Sequence, residues 1–161
     1  MSLAPFVPSP PYVVEKMLRL AHLKPGEILF DLGCGDGRII IAAAQKYGVR
    51  AVGVEMSERL VEEVSQKIHE LGLEKLVKVI QGDAMGIDLR DADVVTLYLT
   101  SSGNEKLKPK LESELKPGAR IVSHDFEVYG WKPLRIEHIA DETHPWPTGH
   151  KIYIYRLQNK L

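Results

Sequence analysis

The run Phe30-Asp31-Leu32-Gly33-Cys34-Gly35-Asp36-Gly37-Arg38 starts in the apolar triplet Ile28-Leu29-Phe30 and leads into Ile39-Ile40-Ile41-Ala42-Ala43-Ala44. A short apolar run, a glycine-rich turn and a longer apolar run make a strand–loop–helix unit. Three alternating glycines remove side chains where a backbone must come close to a ligand. The free amides at the start of the following helix point into the same space. A parallel α/β sheet binds its ligands there, at the carboxyl ends of its strands.

The rest of the chain continues the alternation. Val13, Met17, Leu18 and Leu20-Ala21 recur at helical spacing after the proline-dense stretch Pro5 to Pro11, which has restricted φ angles and reads as an extended arm over residues 1–11. Lys24-Pro25-Gly26 is a turn, and Lys116-Pro117-Gly118 repeats it. A helix over Gly37 to Tyr47 precedes a strand at Ala51 to Val54. Ser57 is placed to cap a helix with an apolar stripe of Leu60, Val61, Val64, Ile68 and Leu71, closed by Gly72. Strands follow at Leu76 to Ile80 and Val94 to Leu99, then a helix marked by Leu107, Leu111 and Leu115, then a strand at Arg120 to Val122. The late strands, Leu134 to Ile139 and Ile152 to Leu157, have too short a link for a crossover helix and pair antiparallel. The expected fold is a single α/β domain with five parallel strands, a C-terminal antiparallel hairpin and helices on both faces.

Composition narrows the function. The 161 residues suit one domain, and 44% hydrophobic content supports a packed core. Lys plus Arg number 21 and Asp plus Glu 22, a net charge of −1, which lacks the global field that draws proteins to nucleic acid. The lone Cys34 excludes a disulfide framework and a cysteine-rich zinc site. No apolar run approaches the ~18 residues of a membrane span, and no basic-then-apolar leader opens the chain. A reducing cytosol is the expected setting.

The loop departs from the nicotinamide pattern G-x-G-x-x-G, because Arg38 stands at the third glycine. Asp31 precedes the glycines. Glu55 ends the second strand, where a carboxylate can accept from ribose hydroxyls, and Gly82-Asp83-Ala84 ends the third, where a short acid can meet an adenine amine or cap a turn. No P-loop lysine follows the glycines. A cationic adenosyl ligand fits this set better than an anionic dinucleotide.

These residues resemble the three S-adenosylmethionine (AdoMet) motifs of the seven-strand methyltransferases with a Rossmann-like sheet. Phe6-Val7-Pro8-Ser9-Pro10, Ala51 to Glu55, Leu107 to Glu112, Leu115 to Phe126 and Gly130-Trp131-Lys132-Pro133 extend the likeness to the archaeal broad-specificity protein lysine methyltransferases and their mitochondrial relatives. Pro11-Tyr12 and Tyr98 depart from that pattern. The resemblance implies AdoMet as cofactor, held by Asp31, Gly33, Cys34, Gly35, Glu55, Met56, Asp83, Ala84 and Tyr98. It implies a protein substrate presenting lysine, met by Ser9, Thr100, Phe126 and Trp131. Asp31 either touches the ligand's amino group or braces the loop.

Tyr98 and His124 are the candidate catalytic residues. Tyr98 would wall the target nitrogen by cation–π attraction or serve as a core aromatic. His124 would act as a base, orient the amine, or be structural. A lysine amine is mostly protonated at pH 7, and loss of its proton to solvent needs no dedicated base. The six histidines show no H-x-x-x-H or H-E-x-x-H spacing, so no metal site is expected. Nor does Cys34 have the context of a nucleophile. Methyl transfer to RNA or a metabolite, and a non-catalytic AdoMet-binding subunit, are the competing readings.

Overall fold

The computed structural model describes residues 7–140 and 149–158. The start of the proline arm, most of the link from Thr143 to Gly149 with His144, and Trp146 lie outside them. The elements are α1 (Pro11–Leu20), β1 (Ile28–Leu32), α2 (Arg38–Tyr47), β2 (Arg50–Glu55), α3 (Glu58–Glu70), β3 (Val77–Gln81), β4 (Val94–Leu97), α4 (Ser101–Glu114), β5 (Arg120–His124), β6 (Arg135–Ala140) and β7 (Gly149–Arg156).

The seven strands form one sheet in the order β3-β2-β1-β4-β5-β7-β6. β1 pairs parallel with β2 and β4, and β3 and β5 extend the sheet on either side, also parallel. β7 lies antiparallel between β5 and β6, so β6 runs in the same direction as the first five strands. The expected five-plus-hairpin sheet is therefore present, with the final strand inserted inside the edge. Strand order reverses at β1 and β4, which opens a crevice at their carboxyl ends.

Buried side chains pack on both faces, as a parallel sheet requires. One face is covered by α1, α2 and α3 through Met17, Leu18, Ile40, Val64 and Ile68. The other is covered by α4 and the segment before β4, through Leu107, Leu111, Leu89 and Ala92. The edge strand β6 is half-exposed and carries Arg135, Glu137 and His138, charges and polar groups that discourage pairing with another chain.

Three boundaries differ from the sequence expectation or confirm it, and each has a local cause. Pro11 is the first residue of α1 and not the end of the arm, because a proline at the first helical position gives up no hydrogen bond. β4 stops at Leu97, and Tyr98 and Leu99 turn away from the sheet before Thr100 caps α4 by accepting from the Gly103 amide at 3.0 Å. The Ser57 cap is present: its hydroxyl accepts from the Leu60 amide at 3.3 Å.

Candidate active site

The glycine loop is held by backbone conformation. Gly33, Gly35 and Gly37 have φ of 80°, 57° and 79°, a region closed to most L-residues. The Gly33 and Cys34 amides both donate to the Val54 carbonyl, at 2.8 and 2.9 Å. This ties the loop to the end of β2. A Cβ on Gly37 would lie 2.8 Å from Val64 Cγ1, so only glycine lets α3 pack this close to the loop. Across β2, a Cβ on Gly53 would meet Cys34 Sγ at 2.6 Å. Cys34 is thus a buried packing residue, and burial pushes its thiol well above the ordinary value, away from nucleophilic use.

Glu55 locks the other wall. Its Oε1 accepts from the Gly35 amide at 3.0 Å and its Oε2 from the Ser57 amide at 2.8 Å. An ionised carboxylate has about four acceptor positions, so two remain for a ligand. Asp31 is buried at the end of β1, and the Thr96 hydroxyl donates to its Oδ1 at 2.8 Å. Desolvation raises its pKa to about 7, against the Thr96 bond, and the charges of Glu55 and Asp36 add to the rise. A carboxylate held this way gains most from a cationic partner.

These groups open onto a cavity of about 450 Å³. Asp31, Gly33, Cys34, Glu55, Met56 and Tyr98, six of the nine residues expected to hold the cofactor, line it together with Ser9, while Gly35 does not. Asp83 and Ala84 do not line it; Asp83 Oδ1 accepts from the Met85 amide at 2.9 Å and caps a 3₁₀ turn at Ala84–Gly86. The capping role weighed for Asp83 is therefore realised, and its second oxygen is left for other partners.

On the far side, Tyr98 stacks on His124 with ring centroids 3.8 Å apart, and Phe126 stacks beyond Tyr98 at 6.2 Å. His124 is fully buried, and both its ring nitrogens are engaged: Nδ1 with Ser9 Oγ and Nε2 with His150 Nδ1, each at 2.8 Å. Burial holds its pKa below the ordinary imidazole value. With both nitrogens occupied and one face under Tyr98, His124 fits a positioning role better than that of a base. Trp131 lies outside the cavity. Its Nε1 donates to Glu112 at 3.0 Å and its ring meets Tyr155 edge-on, so it packs the loop after β5 onto α4 and β7. Thr100 is the α4 cap described above.

Two participants escaped the sequence reading. Arg38 pairs with Asp36 at 2.6 Å and donates from Nη1 to the Ser9 carbonyl at 2.8 Å, clasping the N-terminal segment to the glycine loop. The D-x-R spacing was the available signal. His150 had none, since 26 residues separate it from His124.

Residues 31–135 match the family profile described as the ANTKMT methyltransferase domain, well over half of the chain. The chain belongs to this family. A protein-lysine N-methyltransferase of Saccharolobus islandicus is 43% identical, covering 94% of this chain and 92% of its own. The mouse adenine nucleotide translocase lysine N-methyltransferase is 36% identical over 82% of this chain, which spans 57% of that relative's length. Among solved structures, an RNA methyltransferase from Salinibacter ruber in complex with S-adenosyl-L-homocysteine is 40% identical. It superposes with a TM-score of 0.87 and covers 96% of both chains.

Within the ANTKMT fold the described geometry suits an adenosyl sulfonium. Three fixed glycines give backbone access, Glu55 keeps acceptor capacity, and a buried carboxylate without a cationic neighbour among its named partners stands at the end of β1. The match starts at Asp31, so the family profile takes in the glycine loop and Glu55 and excludes the N-terminal segment that carries Ser9.

Proposed function

We propose that this chain transfers a methyl group from AdoMet to the side-chain amine of lysine in protein substrates, with relaxed sequence preference and in the cytosol. Glu55 would hold the ribose hydroxyls, the loop amides and Asp31 the amino-acid end, and Asp83 the adenine amine. When bound, AdoMet supplies an activated methyl on a positive sulfur, which an amine lone pair displaces in line.

The residues of this chain then have a positioning task. Tyr98 presents a stacked ring face, fixed from behind by His124 and flanked by Phe126. Such a wall attracts an ammonium and aligns the amine that forms when its proton is lost to solvent. His124 acts through Tyr98 and is a positioning residue.

The observation that carries the reading is the charge state of the cavity wall. Its two guanidiniums are already paired, Arg38 with Asp36 and Arg59 with Glu63 at 2.8 Å, which leaves no unpaired cation among the lining residues to meet a phosphate. Asp125 and Glu127 follow directly on β5. That environment favours a cationic acceptor over a phosphate-bearing one. The protein-lysine N-methyltransferase of Saccharolobus islandicus, similar along nearly its whole length, supports the same choice. Methyl transfer to RNA is the second reading, favoured by the likeness to the Salinibacter ruber RNA methyltransferase.

Incubating the chain with methyl-labelled AdoMet, total RNA and a cell protein extract separates these. Label recovered as methyl-lysine supports the proposal. Label in RNA establishes the second reading, and cofactor binding without any transfer indicates a non-catalytic subunit.

A further inference from the structure

The end of β5 and the start of β7 bring two imidazoles and a carboxylate to a point. His124 Nε2, His150 Nδ1 and Asp125 Oδ2 form a triangle with edges of 2.8, 3.5 and 3.4 Å. Tetrahedral zinc holds nitrogen and oxygen ligands at about 2.0–2.2 Å, which sets neighbouring ligand atoms ~3.3 Å apart. The circle through the three atoms has a radius of about 1.9 Å, so an ion lifted ~0.9 Å from their plane would sit about 2.1 Å from each.

The triangle is also braced from outside. Ser9 Oγ lies 2.8 Å from His124 Nδ1. With the Nδ1 proton donated there, His124 presents the bare Nε2 lone pair, the usual arrangement behind a ligating histidine. Asp125 has a φ of 63°, rare for a residue with a side chain. Two bonds to one residue hold it so: its amide donates to the Lys151 carbonyl at 2.7 Å, and its Oδ1 accepts from the Lys151 amide at 3.0 Å. That leaves Oδ2 aimed at the histidines. A non-glycine residue kept in this conformation marks a constrained site.

We propose that His124, Asp125 and His150 form a binding site for a zinc-like divalent transition metal, with water completing the tetrahedron. Two nitrogens and one oxygen select zinc or cobalt(II) over magnesium and calcium, which take all-oxygen sets. His150 turns to its Nε2–H tautomer to free Nδ1, so binding exchanges the His124–His150 hydrogen bond for two metal bonds with no net loss of a proton. Asp125 and His150 keep side-chain exposures of 29% and 18%, enough for the ion and its water to enter. A bound ion cross-links β5 to β7 directly behind Tyr98.

Cobalt(II) and zinc titrations of the full chain test this without any activity measurement. The wild type should take one equivalent of cobalt(II) and show the intense visible bands of four-coordinate geometry, without thiolate charge transfer from Cys34. Zinc should raise its melting temperature, as any ligand of the folded state does. His150→Ala and Asp125→Asn should each weaken binding about 100-fold or more, on the ligand-loss logic of a three-residue site. His69→Ala, at the surface end of α3, should not. If His150→Ala fails to fold, judged by circular dichroism, His150→Gln replaces it. Binding that persists in the His150 and Asp125 variants, a six-coordinate cobalt spectrum, or no saturable uptake by the wild type would overturn the site.

Discussion

The two sides of the cavity, proposed here for the methyl donor and its acceptor, are built by different means. Around β1 and β2, backbone does the shaping: glycines with positive φ, two amides on Val54, and a Glu55 carboxylate engaged by two more. Every one of these contacts lies within residues 31–57. Around β4, β5 and β7 the parts are side chains from distant positions. Ser9 reaches His124 across 115 residues, and His124 reaches His150 across 26. The first side is a rigid mould that tolerates few residue types. The second is a stack of rings whose members could be exchanged while the fold stands.

The largest contrast should come from removing one strut of the mould. Glu55→Ala strips acceptors from two loop amides and from the ligand, and AdoMet affinity should fall by about 100-fold or more, since bonds to a charged group contribute ~1.5–3 kcal/mol each. Isothermal titration calorimetry reads this directly; a loss below tenfold would mean that Glu55 does not hold the cofactor. Next, Gly53→Ala puts a methyl 2.6 Å from Cys34 Sγ and 2.8 Å from Ile40 Cδ1. Overpacking of this kind should cost ~1–3 kcal/mol, seen as a lowered midpoint in denaturant.

On the acceptor side, Tyr98→Ala should lower kcat/KM for protein lysine by roughly thirtyfold, about the size of a desolvated cation–π contact, with Tyr98→Phe close to wild type. AdoMet affinity should change much less. Equal losses in both measurements would erase the division between the two sides.

A pH series sharpens the electrostatics of the mould. Unfolded, Asp31 releases its proton near 3.8, whereas in the fold it keeps it to about 7. Between those values the unfolded state binds fewer protons, so the ligand-free chain loses stability as pH rises and levels off above about 7. AdoMet affinity should move the other way, tightening as Asp31 ionises. Asp31→Asn should flatten both slopes, checked by melting curves and calorimetry across the same range.

The same division explains what could be read from the chain. Alternation of apolar runs with turn residues announces every strand, and Gly33-x-Gly35-x-Gly37 with Asp31 and Glu55 announces the mould, because local spacing encodes backbone shape. The antiparallel pairing of β6 with β7 is legible in the shortness of their link. Trp131 is ambiguous in the sequence, since an aromatic in a loop near β5 packs against a neighbour such as Tyr155 or faces a substrate with the same signature. His150 was invisible for a simpler reason: nothing in a one-dimensional pattern says which distant histidines β5 and β7 will bring together. Asp83 has two roles open to it in the sequence, and the Met85 amide takes up one of its oxygens without closing the other role.

Ser9 touches both sides at once. Its carbonyl is held by Arg38 from the glycine loop and its hydroxyl by His124 under Tyr98. A single residue thus works as a latch with two catches, one on each wall. A displacement of the chain at this point would part the loop arginine and the buried imidazole from it together.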